Sequence, residues 1–411
     1  MKRPIAIGLA PNTEKKDALL ALKLLLKPWN YLKGDSPRRL EDWFRKNYKK
    51  KYVFSLCSGR GALYYGLKAL GVKEKDEVIL QAFTCAAVVQ AVKSTKAKPV
   101  YADIDDSLTI NPDILSRLIT PRTKAIIIQH TFGNSADLDK IKKIAKEKNI
   151  FIIEDCAHGI YPDKKIAQVG DIAVFSFGRD KAFSCVSGGI VMTGNKDIGD
   201  KLKTLYKGKD FPSTLWVIRN LLHPFLFYYF VLPFYNFLSL GKVLLVIFQK
   251  MHFLSFPVDK SSVVISATDT KKMPPALAEL ALLQLTKLDK WNKRRVKISE
   301  VYKNKFANIT PFPKVDTYPL LRFPICVDDA QKMLLFFRKK KHIYLGNWYS
   351  NIIDPKGVDY KKLGYIQGSC PKAEEVARKI INLPTYPLLS DADVQKVVKE
   401  VSEYVANKGN N

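Results

Sequence analysis

Apolar residues along this chain alternate between short continuous runs and stretches with helical spacing. Continuous runs at 77–81, 98–102, 124–130 and 150–153 predict buried strands, and a helical pattern separates each run from the next. Strands that are apolar throughout and alternate with helices are typical of a parallel sheet covered by helices on both faces. The pattern therefore predicts an α/β fold whose ligands bind at the carboxyl ends of the strands.

Three polar residues each follow a predicted strand. They are Ser58, Asp155 and Ser176. Because the carboxyl ends of parallel strands meet at one edge of a sheet, we expect the three side chains to line a single crevice. For a carboxylate in such a position, a helix cap or an ion pair is the structural alternative to a chemical role.

Lys181 lies in a short polar turn between two apolar runs, one ending at Ser176 and the other beginning after the glycine pair 188–189. Desolvation in such a site would lower the pKa of the amine and make it a better nucleophile toward a carbonyl. The alternative is an ordinary lysine on a surface loop.

The small-residue turn at 57–61 connects a predicted strand to a helix. Free N–H groups and the helix dipole make such a turn a seat for phosphate, and Arg60 would add positive charge. An ordinary glycine-rich connection is the alternative. Pyridoxal phosphate needs a lysine, an acidic partner for its ring nitrogen and a phosphate seat. Lys181, Asp155 and the turn meet these three needs.

Composition and charge limit the choice of partners and compartment. The 411 residues suffice for two domains, and the net charge of +29 favours anionic partners, namely nucleic acid, an acidic membrane or a phosphorylated substrate. No nucleic-acid motif is present, so we expect no nucleic-acid partner. The six cysteines form no CxxC pair, which argues against zinc and against disulfides and predicts a cytoplasmic protein. The first apolar run is too short for a signal peptide.

Several motifs, taken together and in order, resemble the DegT/DnrJ/EryC1/StrS family of pyridoxal-phosphate sugar aminotransferases. They extend over most of the chain and lie at 57–63, 71–79, 83–84, 101–105, 120–126, 133–139, 153–158, 170–171, 175–181, 188–189, 383–387 and 390–393.

The resemblance implies the aminotransferase architecture of fold type I. A large α/β domain would hold a mostly parallel seven-stranded sheet between helices, and a small C-terminal α+β domain would follow. We expect the large domain at 1–265, with a hydrophobic insertion at about 212–256, and the small domain at 266–411. A homodimer with active sites near the interface is also implied.

Family roles transfer to matching positions of this chain. Lys181 would form the Schiff base with the cofactor and later carry a proton. Asp155 would pair with the ring nitrogen of the cofactor, and His158 would lie near its phenolic oxygen or its ring. Lysine at position 181 favours transamination, because the sugar dehydratases of this family have histidine there.

The phosphate of the cofactor would be held by Ser58, Gly59, Arg60 and Ser176, with the N–H groups of Gly59 and Arg60 as donors. Two positions that would contact the cofactor depart from the family. Arg60 replaces a threonine, and Cys85 replaces an aromatic residue that stacks on the cofactor ring, so His158 is an alternative source of stacking. The substrate loop at 271–275 also departs from the usual Asn-x-Arg-Met.

The insertion at about 212–256 is strongly apolar. The segment from Asn220 to Gly241 contains no charged residue. It is long enough to span a bilayer as one helix. Pro224 and Pro233 are expected to break such a helix. A helical hairpin at 215–250 dipping into one leaflet, with basic residues at its rim, is the favoured hypothesis. A buried subdomain at a dimer interface is the alternative.

These observations predict a pyridoxal-phosphate-dependent aminotransferase that converts a nucleotide-linked keto-sugar to an amino sugar with an amino-acid donor. The expected pathway is surface polysaccharide or lipopolysaccharide biosynthesis. The expected location is the cytoplasm, with peripheral attachment to the inner face of the membrane. The alternatives are a pyridoxal-phosphate sugar dehydratase and a catalytically inactive, membrane-associated scaffold of the same fold.

Overall fold

The computed structural model describes residues 3–254, 259–307 and 319–407. The strands in this part of the chain are β1 (Ile5–Ala6), β2 (Tyr52–Leu56), β3 (Glu77–Gln81), β4 (Thr84–Cys85), β5 (Lys98–Ala102), β6 (Thr123–Gln129), β7 (Phe151–Asp155), β8 (Ile172–Ser176), β9 (Gly189–Thr193), β10 (Arg322–Cys326), β11 (Ile343–Tyr344), β12 (Ile353–Asp354) and β13 (Ile380–Pro384).

The α-helices of the same residues are α1 (Lys15–Leu25), α2 (Ser36–Tyr48), α3 (Gly59–Ala69), α4 (Ala86–Ser94), α5 (Leu115–Leu118), α6 (Leu138–Glu147), α7 (Lys196–Tyr206), α8 (Thr214–Leu226), α9 (Leu232–Phe234), α10 (Leu240–Lys250), α11 (Pro275–Leu285), α12 (Leu288–Phe306), α13 (Ala330–Phe336), α14 (Tyr360–Leu363), α15 (Pro371–Lys379) and α16 (Asp391–Ala406). Short π-helical turns occupy Phe227–Val231 and Phe337–Lys341.

A seven-stranded sheet with the order β2-β9-β8-β7-β6-β3-β5 forms the centre of the molecule. Strand β9 runs antiparallel to its neighbours β2 and β8, and the other described pairings in this sheet are parallel. This arrangement confirms the predicted α/β fold with a mostly parallel seven-stranded sheet. The carboxyl ends of β7 and β8 therefore lie side by side, which brings Asp155 and Ser176 to one edge.

Helices cover both faces of the sheet. In β8, successive side chains point to opposite faces and pack against the helices on each side. Ile172 and Val174 pack into the core on the side of α3. Gly66 lets that helix approach closely, because a Cβ there would lie 3.2 Å from Ile172 Cγ2. Phe175 packs into the core on the other side, with its ring centroid 5.0 Å from that of Phe44 in α2.

A second, smaller core lies in the C-terminal part of the chain. Strands β10 and β13 pair antiparallel, and helices α12, α13 and α16 pack with them around Tyr302, Phe323 and Val397. The N-terminal strand β1 joins this region by pairing with β11. The region is α+β, as predicted; the boundary between domains at 265 and 266 stays a prediction.

The spacing of apolar residues at 277–302 predicts one long helix. This prediction is wrong, because α11 ends at Leu285 and α12 begins at Leu288. A tertiary contact accompanies this break. The ammonium of Lys287, between the two helices, lies 2.7 Å from Glu14 Oε2 and 2.9 Å from Asp17 Oδ2. These acidic partners belong to the start of α1, and helical periodicity alone does not reveal them.

The insertion forms a helical hairpin. Its first arm is continuous from Thr214 to Phe234, so the expectation that Pro224 and Pro233 would break the helix is wrong. The π-helical turn Phe227–Val231 lies between the two prolines and accommodates the irregular hydrogen bonding that proline imposes. By length and composition this arm could cross a membrane, but half of its apolar window is buried inside the molecule. Helix α10 is the second arm, and positions 255 and 256 lie outside the described residues.

Candidate active site

All eight residues predicted for the cofactor site line one cavity of about 330 Å³ at the carboxyl edge of the sheet. They come from the ends of β7 and β8, the loops that follow these two strands, the N-terminus of α3 and the residue before α4. The eight are Ser58, Gly59, Arg60, Cys85, Asp155, His158, Ser176 and Lys181.

The turn before α3 is shaped by close backbone packing. Ser58 is the N-cap of α3, and its Oγ accepts the N–H of Gly61 at 3.0 Å. A Cβ on Gly59 would lie only 2.6 Å from Ser176 Cβ, so glycine allows the turn to lie against the end of β8. The N–H groups of Gly59 and Arg60 have no acceptor within the helix, and they can bind an anion.

Lys181 lies in the loop between β8 and β9 and is partly buried. Its Nζ is 5.0 Å from the centroid of the Trp348 ring. Burial lowers the pKa of this amine, and the nearby Cys85 and Asp155 oppose that shift. A larger fraction of neutral amine is therefore present at a given pH than for an exposed lysine, which favours attack on a carbonyl carbon.

Asp155 ends β7, and only 7% of its surface is exposed. The N–H of Ala157 donates to its Oδ1 at 3.0 Å. Burial raises the pKa of this carboxyl, whereas the charge of Lys181 lowers it. The preceding Glu154 contributes to a different site: its carboxylate pairs with His130 at 3.0 Å and accepts three backbone N–H groups at 167–170.

His158 is buried, and both ring nitrogens have partners. The N–H of Phe132 donates to Nδ1 at 2.9 Å, which leaves Nε2 as the nitrogen that carries the proton, 3.0 Å from the hydroxyl of Tyr349. Burial holds the pKa of His158 well below its usual range. The imidazole is therefore neutral, and its ring lies at 27° to the plane of Trp348, with the centroids 5.9 Å apart.

The two departures from the family pattern, Arg60 and Cys85, lie in different surroundings. The guanidinium of Arg60 lies 3.4 Å from Asp269 Oδ1, and Arg60 Nη1 donates to Gln90 Oε1 at 3.3 Å. Cys85 is the N-cap residue of α4, and burial raises the pKa of its thiol. Neither side chain supplies an aromatic surface.

Sequence reasoning missed several residues of the cavity that come from distant segments. Trp348, Tyr349 and Asp354 reach it from the C-terminal part of the chain. Behind Trp348 lies the buried Arg322, whose Cζ is 3.6 Å from the centroid of the Trp348 ring. The sequence predicts a strand at 342–345, and the aromatic pair that follows it was the available signal, but nothing local places this pair beside Lys181.

These residues fit pyridoxal phosphate. The turn at Gly59 is a cradle that a side chain would fill, and its free N–H groups suit a phosphate. A partly buried amine suits the aldehyde, and a buried carboxylate suits the ring nitrogen. The aromatic surface nearest the amine is that of Trp348.

Comparison with known proteins places the chain among sugar aminotransferases. The model of the DegT/DnrJ/EryC1/StrS aminotransferase family matches residues 12–210 and 257–402. An uncharacterised protein of Methanocaldococcus jannaschii is 31% identical over 389 residues, which cover 91% of each chain. The spore coat polysaccharide biosynthesis protein SpsC of Bacillus subtilis is 28% identical, covering 91% of this chain and 90% of its own. GDP-perosamine synthase of Escherichia coli O157:H7 is 25% identical, covering 97% and 98%.

Among solved structures, NtdA of Bacillus subtilis with bound cofactor PMP has a TM-score of 0.77 at 21% identity, covering 98% of this chain and 85% of that one. This similarity confirms the predicted aminotransferase fold. The match to the family model covers well over half of the residues. The chain therefore belongs to the DegT/DnrJ/EryC1/StrS aminotransferase family and is a pyridoxal-phosphate-dependent aminotransferase.

Proposed function

We propose that this enzyme transfers an amino group from an amino acid to a nucleotide-linked keto-sugar in the biosynthesis of a surface polysaccharide. The observation that carries the proposal is the convergence of Lys181, Asp155 and the Gly59 turn in one cavity. SpsC, a polysaccharide biosynthesis protein, and GDP-perosamine synthase, which is named for a nucleotide sugar, support the substrate class and the pathway.

We assign the residues as follows. The bound cofactor supplies an electron sink for the carbon that loses a proton. Lys181 holds the cofactor and then moves the proton to and from that carbon, since its lowered pKa makes the amine available as a base. Asp155 faces the ring nitrogen, and the N–H groups of Gly59 and Arg60, with Ser58 and Ser176, hold the phosphate.

His158 and Cys85 complete this assignment. The neutral His158 donates through Nε2 to the hydroxyl of Tyr349, and its ring lies at 27° to that of Trp348, so it positions the aromatic wall rather than exchanging a proton. Cys85 fills the place of an aromatic residue without stacking. Lysine rather than histidine at position 181 favours transamination over sugar dehydration, and the presence of both Lys181 and Asp155 in the cavity opposes the inactive scaffold.

Absorbance spectroscopy tests this proposal. The purified protein with pyridoxal phosphate should show the visible band of the lysine-bound cofactor, and adding glutamate should shift it. Lys181→Ala should lose the band, whereas Lys201→Ala, which changes an exposed lysine in α7, should keep it. An identical, unbound spectrum for the native protein and Lys181→Ala would refute the enzymatic proposal.

We also propose a cytoplasmic homodimer that binds the inner membrane face through the hairpin. In α10 the side chains of Val243, Val246 and Ile247 share one face and are between 41% and 52% exposed. No acidic residue occurs between 211 and 254. The basic π-helical turn Phe337–Lys341 precedes β11, whose Tyr344 ring lies 5.2 Å from that of Tyr235 in the hairpin. Apolar side chains beside basic ones suit an anionic bilayer.

Vesicle flotation tests the membrane proposal. The native enzyme should float with vesicles that contain anionic lipid, and Val246→Glu should remain in solution. Ile366→Glu changes an apolar residue outside the hairpin that is more exposed than Val246, at 76% against 50%, and should still float. If Val246→Glu instead dissociates a dimer and leaves flotation unchanged, the hairpin is a subunit interface.

A further inference from the structure

A second cavity, of about 310 Å³, lies beside the cofactor site. The two cavities share Arg60, Arg179, Val186 and Ser187 in their walls. One further wall of the second cavity consists of residues of α8, and the segment 259–269 contributes another. The second cavity therefore adjoins the turn that we assign to the cofactor phosphate.

The wall from α8 belongs to the insertion. It consists of Trp216, Arg219 and Asn220. The family model matches residues up to 210 and again from 257, so these three residues are an addition of this chain to the family pattern. A ligand contact made by them is separate from the cofactor site that the family shares.

Neither acidic residue in the walls of this cavity forms an ion pair with Arg219. Asp269 pairs with Arg60 at 3.4 Å, and Asp259 Oδ1 accepts the N–H and the hydroxyl of Ser261 at 2.9 and 2.7 Å. Within residues 3–254, 259–307 and 319–407, Arg219 forms no hydrogen bond and no ion pair. A guanidinium in a partly buried wall is suited to a phosphate group, which it can bind with two parallel hydrogen bonds.

Asn220 supplies a second indication of a ligand. Its side chain is 1% exposed, and its Nδ2 donates to the carbonyl of Trp216 at 2.8 Å. Its Oδ1 is buried and has no hydrogen-bond partner among the described residues. A buried acceptor without a donor is costly, and a ligand N–H or O–H would satisfy it. The partly buried indole of Trp216 offers a flat surface for a heterocyclic base.

We propose that this second cavity binds the nucleoside diphosphate of the sugar substrate, with Arg219 on the phosphates, Trp216 against the base and Asn220 accepting from the base or ribose. The inference rests on the proposed function, because it names the carrier of the sugar that the adjoining site aminates. The insertion then has a role in substrate recognition in addition to any contact with a membrane.

Calorimetric titration of the holoenzyme with GDP, UDP, dTDP and inorganic pyrophosphate tests this inference. At least one nucleoside diphosphate should bind more tightly than pyrophosphate, and Arg219→Gln should raise its Kd about tenfold or more. Trp216→Leu should remove the preference for the nucleotide over pyrophosphate. The control is Arg117→Gln, an exposed arginine in α5, and it should leave every Kd unchanged.

The same samples separate this inference from the proposed function. A glutamate-induced change in cofactor absorbance reports the aminotransferase chemistry and should persist in Arg219→Gln. If that change persists but no nucleoside diphosphate binds, or binds equally well to Arg219→Gln, the inference is wrong and the proposed chemistry stands. If no sample responds to glutamate, the proposed chemistry is wrong, and a Kd that still depends on Arg219 would support the cavity alone.

Discussion

Gly59→Ala is the substitution that most directly tests the phosphate seat. In the structure a Cβ at this position would lie 2.6 Å from Ser176 Cβ and 2.8 Å from Ser176 Oγ. Strand β9 closes the other side, since a Cβ on Gly189 would lie 2.7 Å from Gly59 N. The added methyl group cannot be accommodated by a rotamer change, so the turn itself must move.

The expected loss follows from the size of this movement. To go from 2.6 Å to the 3.4 Å of ordinary contact, the turn must retreat from Ser176 by about 0.8 Å. A shift of that size takes an N–H···O hydrogen bond out of its range. Two charge-assisted bonds, from the N–H groups of Gly59 and Arg60, are worth about 1.5 kcal/mol or more each. We expect about 3 kcal/mol in total, or roughly a hundredfold weaker binding of pyridoxal phosphate.

The assay is a titration of apoprotein with pyridoxal phosphate, followed by the visible absorbance of the lysine-bound cofactor. Gly8→Ala is the matched control, because a Cβ there meets nothing within 4 Å, and its Kd should be that of the native protein. A Gly59→Ala protein that folds and binds the cofactor within threefold of the native Kd would refute the assignment of this turn as the phosphate seat.

Three further predictions concern pH and packing. Because burial lowers the pKa of Lys181, the rate of its reaction with pyridoxal phosphate should reach half of its plateau value below about pH 10.4, the ordinary lysine value, and a stopped-flow profile with its midpoint at or above that pH would contradict this. Burial raises the pKa of Asp155, so the ionised carboxylate destabilises the folded apoprotein. The apoprotein of Asp155→Asn should therefore have a higher melting temperature than the native apoprotein at pH 7. This difference should disappear below about pH 4, where the carboxyl is protonated in both the folded and the unfolded state. Phe44→Ala should lower the free energy of unfolding, measured in urea, by about 3–5 kcal/mol. The control Leu26→Ala changes a residue that is 69% exposed and should lower it by less than about 0.5 kcal/mol.

Local patterns predicted the central part of the molecule well. The runs at 52–56, 77–81 and 98–102 predict strands, and the structure has strands with these bounds. The predicted cofactor residues share one cavity because each follows a strand whose carboxyl end lies at the same edge of the sheet. A buried parallel sheet requires apolar residues throughout its strands, so its signal is strong in sequence alone.

Local patterns were misleading where tertiary contacts compete with them. Proline at 224 indicates a helix end, yet the helix continues through it because surrounding side chains bury this arm and a π-helical turn adjusts the backbone. The break between α11 and α12 lies at Lys287, which pairs with two carboxylates of α1 that are remote in sequence. Contacts of this kind do not change the periodic pattern of apolar residues, so the sequence pattern does not reveal them.

The sequence alone determined the family, the alternation of strands and helices along the chain, and the positions of Lys181, Asp155 and the Gly59 turn, because each depends on a short segment and its own pattern. Only the tertiary structure placed Trp348 against the amine of Lys181, and Arg219 and Asn220 in the wall of a second cavity. Those contacts join segments far apart in the chain. Which of the many possible long-range contacts form is decided by the packing of the whole core, and no short stretch of sequence contains that information.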